Sequence, residues 1–217
     1  MEITWLGHSC FRLRSRDSFV VTDPCDKSTG YTIGRPTASV VTISHDHPGH
    51  NNIAAVAGSP SVVQGPGEFE ISGVLITGIR TYHDDEQGER LGKNVAYVLE
   101  LDDVRVCHLG DLGHVPTAEQ VEELSGVDIL LTPVGGGGST ISASAAAETV
   151  SLLGPKLVIP MHYQTPASKK KDLEPLDRFL KEMGATSALE ERQPKLSVTK
   201  STLPQETKVL VLDYRTK

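Results

Sequence analysis

The sequence predicts an α/β protein in which two β-sheets pack face to face with helices on the outside. Three observations predict it. Short apolar runs of strand length dominate the first half of the chain. Helical and strand patterns alternate in the second half, which ends again on β-type runs. Gly and Pro together contribute 33 of the 217 residues, about 15% against a usual ~12%, as tight turns between many short elements require. A β-rich half followed by alternation does not fit a plain doubly wound sheet, whereas two layered sheets satisfy it. At roughly 150 residues per domain, one domain over 1–217 is expected. A chain this long buries about 70% of its unfolded surface, so it needs neither disulfide nor metal for stability.

The elements follow in order. Glu2–Leu6, Cys10–Arg14 and Ser18–Thr22 read as a meander with turns at Gly7-His8 and Ser15–Asp17. Ser39–Ile43 is a buried strand by its β-branched run, and Asn51–Ala57 reads as a short helix. Ser61–Gln64, Phe69–Ile71, Val74–Arg80, Asn94–Leu101 and Arg105–Leu109 read as strands. Thr117–Leu124 reads as a helix, with Thr117 as N-cap and Gln120 three residues on. Val127–Leu131 is an apolar strand. Ser142–Leu153 is Ala-rich and helical, stopped by Gly154-Pro155. Leu157–Pro160 is a strand. Lys169–Met183 reads as a charged helix with Leu173, Leu176, Phe179, Leu180 and Met183 at helical spacing. Leu196–Thr199 and Lys208–Asp213 are closing strands.

Composition excludes several functions. Net charge is −7, which disfavours nucleic-acid and anionic-membrane binding. No apolar run approaches the ~18 residues of a membrane span, and no secretory signal is visible at the N-terminus. Cys10, Cys25 and Cys107 are scattered and odd in number, which fits a reducing cytoplasm. Cys10 and Cys107 lie in apolar strands and read as core. The expected partner is a small-molecule substrate. Homo-oligomerisation stays open, with no edge in the sequence to locate it.

The chemistry lies in the histidines. Ser44-His45-Asp46-His47-Pro48-Gly49-His50 directly follows the strand Ser39–Ile43. His45 and His47, two apart, point to one side while the chain is extended. His50 follows a Pro-Gly bend. A polar loop with coincidental histidines is the bland alternative, and three imidazoles in six residues argue against it. Three further segments place a ligand type just past an apolar strand: His83 after Val74–Arg80, Asp111 after Arg105–Leu109, and His162 after Leu157–Pro160. Each alone reads as surface, core or turn. Together they are what a metal site on a rigid scaffold needs, since imidazole and carboxylate suit zinc and similar ions.

This pattern resembles the metallo-β-lactamase superfamily. More narrowly it resembles the small bacterial metal-dependent hydrolases of the ascorbate-6-phosphate lactonase-like branch. The carriers are H-x-H-x-x-H after a strand, a later His, a Gly-Asp and Pro160-Met161-His162-Tyr163, over about residues 1–165. Trp5-Leu6-Gly7-His8-Ser9, Thr22-Asp23-Pro24, His108–His114 and Thr132–Gly136 fit as well. The resemblance implies a four-layer αβ/βα sandwich of two mixed sheets. It implies His45, His47 and His83 at a first metal, Asp111 bridging, and His50 and His162 at a second. Asp111, His50 and His162 would carry the catalysis. The family pattern is H-x-H-x-D-H, and here Gly49 stands at the Asp position. The second site loses a carboxylate, so one or two ions per chain are both open. Asp46 could support the site from outside or ligate directly.

The implied cofactor is Zn2+, with Mn2+ or Fe2+ as alternatives. Its bound water drops to a pKa of ~7, which makes hydroxide available at neutral pH. The implied reaction is hydrolysis of an ester, lactone or similar bond. A phosphodiesterase or nuclease of the same fold is the alternative within enzymes, and an inactive metal-binding sensor is the alternative outside them. His8, His108, His114 and Tyr163 are candidates for supporting roles. Gly135–Gly138 reads as a flexible connector between Val127–Leu131 and the next helix, with a mobile lip or a backbone approach to substrate as the alternative; it lacks the Lys-Ser/Thr of a phosphate loop, which argues against nucleotide binding there. Lys169–Lys171 reads as solvated surface, with attraction of a phosphate group as the alternative, and Asp84–Lys93 as a loop over the cleft.

Overall fold

In the computed structural model, which describes residues 1–215, two mixed sheets share one core. The first holds β1 (Glu2–Gly7), β2 (Cys10–Arg14), β3 (Phe19–Thr22), β4 (Val40–Ile43), β5 (Ser61–Gln64) and β12 (Leu196–Ser197). Its order is β12-β1-β2-β3-β4-β5. The pairs from β12 to β3 are antiparallel, and those from β3 to β5 are parallel. The second sheet holds β6 (Gly67–Ile71), β7 (Val74–Tyr82), β8 (Lys93–Leu101), β9 (Val104–His108), β10 (Ile129–Pro133), β11 (Leu157–Met161) and β13 (Lys208–Val209). Its order is β13-β11-β10-β9-β8-β7-β6, parallel up to β9 and antiparallel beyond.

Period-two burial explains how the sheets meet. Ile3, Trp5, Phe11, Leu13, Val20 and Val40 of the first sheet join one buried cluster with Ile76, Tyr97, Leu99, Val106, Leu130 and Ile159 of the second. The opposite face of the first sheet offers Leu6, Cys10, Val21, Val41 and Ile43 to a smaller cluster with Cys25, Tyr31, Ile33 and Val56. Segments between strands cover that face, including 3-10 turns at Lys27–Thr29 and Ile53–Ala55. The α-helices α1 (Ala118–Glu123), α2 (Ala143–Leu153) and α3 (Leu176–Glu182) all lie within the second half of the chain.

Helix ends follow their caps. Thr117 accepts from the Gln120 amide while Gln120 Oε1 accepts from the Thr117 amide, a reciprocal capping box. Ser142 caps α2, and Gly154 ends it in the left-handed region at φ 55°. Two expected helices are corrected. Asn51–Ala57 contracts to the 3-10 turn Ile53–Ala55. The helix expected over Lys169–Met183 begins only at Leu176. Pro175 is the reason: a residue before proline is pushed out of the α region, and proline itself starts helices. Residues 169–174 instead run irregularly. The Glu174 amide donates to Gly135 O at 2.7 Å, and Glu174 O accepts from the Gln164 amide at 2.9 Å. Strand ends otherwise shift by a few residues. The largest shift is at the C-terminus, where the strand expected over Lys208–Asp213 is Lys208–Val209 alone.

Strand direction sets the position of the site. β1, β3 and β4 point one way in the first sheet, since β2 runs antiparallel to both of its neighbours. By the same logic β7, β9, β10 and β11 point one way in the second. The residues just past these strands therefore collect at one end of each sheet.

Candidate metal centre

Asp111 lies at the middle of the site. Its carboxylate is buried, and four imidazoles converge on its Oδ2. His50 Nε2 lies at 3.1 Å, His162 Nε2 at 3.3 Å, His83 Nε2 at 3.6 Å and His45 Nε2 at 3.9 Å. His47 stands at the exposed rim, its ring centroid 4.5 Å from that of His45 and 5.2 Å from that of His83. The six residues singled out in the sequence thus come together. They form overlapping groups whose ligand atoms lie within 4.8 Å of one another: His45, His47 and His83; then His45, His50 and Asp111. Asp46 is exposed, accepts a hydrogen bond from Asn51 and belongs to none of these groups.

Several partners fix this geometry. Asp23, fully buried, accepts from the Ser44 amide at 2.8 Å and from Ser44 Oγ at 2.6 Å. Its Oδ2 also lies 2.9 Å from His50 Nδ1, which turns His50 Nε2 toward Asp111. Ser44 Oγ lies 2.9 Å from His45 Nδ1 and leaves His45 Nε2 facing the cluster. The Asp111 amide donates to Asn94 Oδ1 at 3.0 Å, and Ser9 Oγ donates to Asp111 Oδ1 at 3.3 Å. Asp23 carried a sequence signal, the Thr-Asp-Pro after β3, but its role depends on a fold that brings β3 beside β4. Asn94 had no such signal.

Electrostatics follow from burial and crowding. Burial opposes the charge of Asp111, but His162 and His50 outweigh it and hold the carboxyl well below its ordinary value. Burial would also neutralise His50, yet Asp111 and Asp23 raise it. For His45 burial wins, with help from His50, and its value falls to about 3. His83 is lowered by burial too, against the pull of Asp111. Burial thus favours the neutral form of His45 and His83, the two carboxylates favour the charged form of His50, and Asp111 stays ionised among them. His45 Nε2, His83 Nδ1 and His162 Nδ1 are buried without a hydrogen-bond partner among the described residues. Orphaned buried nitrogens are costly unless something else pairs with them. Borderline divalent ions take this donor set of imidazole and carboxylate, so the residues fit a metal.

The other histidines divide. His8 enters the cleft, with its ring centroid 4.1 Å from that of His162 and 4.9 Å from that of His50. His108 is internal: its Nε2 lies 2.7 Å from Ser9 O, and its Nδ1 accepts from the Gly110 amide. His114 accepts from the Tyr82 amide at 3.2 Å and lines a separate cleft with Arg80 and Glu119. Tyr163 packs against Trp5, ring centroids 5.2 Å apart.

A cleft of about 430 Å³ opens over the cluster, bordered by Ser28, Thr29, Leu91, Gly137 and Lys170. The loop after His83 is held by one carboxylate. Asp84, 2% exposed, accepts from the amides of Glu86, Gly88, Arg90 and Leu91 at 2.6–3.0 Å. Burial would raise its pKa, but these four donors bring it down to about 2. A depressed carboxyl stabilises the fold above its unfolded pKa near 3.9 and loses that effect as pH falls toward the folded value. Asp84→Ala is expected to speed hydrogen exchange of amides 86–91 at neutral pH. The wild-type loop should approach the variant's exchange behaviour only as pH falls from about 4 toward 2. Unchanged protection in the variant would remove this role.

Fold and site together define a buried histidine–carboxylate cluster with a donor set that suits a metal ion, at one end of a two-sheet sandwich. The family model described as a beta-lactamase superfamily domain matches residues 2–162. The chain belongs to this family, among the metal-dependent hydrolases of the metallo-β-lactamase superfamily. It is similar to a solved Thermotoga maritima protein named as a candidate zinc-dependent hydrolase of that superfamily. The two are 40% identical with a TM-score of 0.79, each covered to 99%. A UPF0173 protein of Pyrococcus furiosus is 31% identical over 80% of this chain and 91% of its own. A UPF0173 metal-dependent hydrolase of Pyrococcus horikoshii is 27% identical over 83% of this chain and 92% of its own.

Proposed function

We propose that the protein hydrolyses an ester, lactone or similar bond of a small molecule, using divalent ions held by His45, His47, His83, Asp111, His50 and His162. The single observation that carries this reading is the convergence of four imidazole nitrogens on one ionised, buried carboxylate oxygen. Zinc is the favoured ion, as the donor set and the name of the Thermotoga relative both point to it. Such an ion supplies hydroxide at neutral pH and positive charge for a developing oxyanion.

The chain's own residues do the rest. Asp111 stays ionised and holds the centre of the cluster, while Asp23 fixes the ring of His50. The cleft lies within the usual few hundred Å³ of small-ligand sites. Ser28, Thr29 and Lys170 at its rim offer polar contacts and a cation to an acidic or oxygen-rich substrate. Net charge of −7 argues against nucleic acid as substrate. Three free, buried cysteines support a cytoplasmic location. No helix among the described residues is long and apolar enough to cross a membrane.

The test is a panel of chromogenic esters, lactones and phosphodiesters, run with chelated and zinc-reloaded protein. Turnover of an ester or lactone that vanishes on chelation and returns with zinc is expected. Activity indifferent to chelation would contradict the reading, and activity confined to phosphodiesters would move it to that class.

A further inference from the structure

We propose that His8 is a metal ligand, completing the second site with His50 and His162 in the space that Gly49 leaves open. The inference rests on the metal-centre reading above. One nitrogen from each of His8, His50 and His162 lies within 4.8 Å of the other two, and all three side chains are buried. This triad is separate from the group of His45, His47 and His83, and Asp111 lies between the two.

Gly49 shows why the ring can be there. A Cβ built on Gly49 would meet His8 Nε2 at 3.0 Å, His8 Cδ2 at 3.3 Å and Thr29 Cγ2 at 3.3 Å. Gly49 does not have positive φ, so its backbone would accept another residue. What a larger side chain would meet first is the His8 imidazole. A side chain at position 49 would press on the ring, and glycine leaves the ring its room.

The backbone is built to deliver that ring. His8 sits in the left-handed region at φ 54°, which is uncommon for a residue other than glycine. Its carbonyl accepts from Trp5 Nε1 at 2.9 Å and from the His162 amide at 3.3 Å. Gly7 before it, at φ 116°, lies so close to Tyr31 that a Cβ would come within 2.3 Å of the ring. Ser9 after it is held by its Oγ contact to Asp111 and its carbonyl contact to His108. His162 is also left-handed, at φ 53°. Strain of this kind persists where surrounding structure over-determines it, typically at functional sites. With Gly49 in place of a carboxylate, the two-ion site is one negative charge poorer.

The test is calorimetric titration of metal-stripped full-length protein with zinc, for wild type, His8→Ala, His8→Asn and His8→Ala/Gly49→Asp. Asn tolerates left-handed backbone better than most residues, so His8→Asn keeps the turn while removing the imidazole. Circular dichroism and the melting temperature of each apo protein separate lost folding from lost binding. Wild type should take up two ions. Both single variants should keep the first, with second-site affinity at least about 100-fold weaker, the upper end of what losing even a supporting group costs. The double variant should regain the second ion, because a carboxylate can then enter the vacated space. Folded single variants that bind two ions as tightly as wild type would overturn the assignment of His8 while leaving the metal centre standing. Wild type that binds no ion would overturn both.

Discussion

Asp111→Asn is expected to reduce both bound metal and turnover, with turnover down about 10³-fold or more, roughly 4 kcal/mol in the barrier. The substitution is nearly isosteric, so packing is kept. The negative charge is not, and the four ring nitrogens within 3.1–3.9 Å of Oδ2 lose the group they share. The metal-free protein should also respond to pH differently. Because its carboxyl is depressed, Asp111 stabilises the apo fold above the unfolded carboxyl pKa near 3.9 and ceases to do so as pH falls through its folded value. The variant should lack that contribution at neutral pH. Elemental mass spectrometry and apo melting temperature at pH 7 check both effects. Wild-type metal content together with full turnover would remove Asp111 from the centre.

Gly113→Ala is expected to destabilise the fold by about 3 kcal/mol, at the upper end of ordinary overpacking, and to release metal from the first site. A Cβ there would fall 2.2 Å from the carbonyl carbon of His83, and 2.3 Å from both the His83 oxygen and the Asp84 nitrogen. These are backbone atoms, with no rotamer to turn away. The Gly113 amide also donates to Tyr82 O at 2.9 Å, so the two segments cannot simply separate. Gly113 does not have positive φ, so space alone demands glycine. Urea denaturation of the apo variant measures the loss. Zinc titration should show weakened binding at the site that contains His83. Wild-type stability would mean that the two segments are free to separate.

The sequence made much of this legible, for physical reasons that differ by residue. His45, His47, His50, His83, Asp111 and His162 could be read because each follows an apolar strand, and strand ends gather where parallel strands share a direction. The caps at Thr117 and Ser142 could be read because capping is local. Asn94 could not, and Asp23 and His8 were legible only as motif residues without their partners, because each acts through contacts between segments distant along the chain. Asp23 reaches His50 across 27 positions, and Asn94 reaches Asp111 across 17. The helix expected at Lys169–Met183 starts only at Leu176, because Pro175 interrupts a segment whose apolar spacing is otherwise helical. Leu173 is buried, but as part of an irregular segment lying against the Gly135–Gly138 run. His114 matched a motif and yet borders a different cleft, which shows that a motif residue need not share its neighbours' site.

The most direct measurement is the stoichiometry of metal on the whole protein, by elemental mass spectrometry after dialysis against zinc and removal of the unbound ion. Two ions per chain are predicted, one at the group of His45, His47 and His83 and one at His8, His50 and His162, with Asp111 between them. A folded chain that retains no ion under these conditions would contradict the account, since its buried imidazoles and carboxylate would then have gathered for some purpose other than metal.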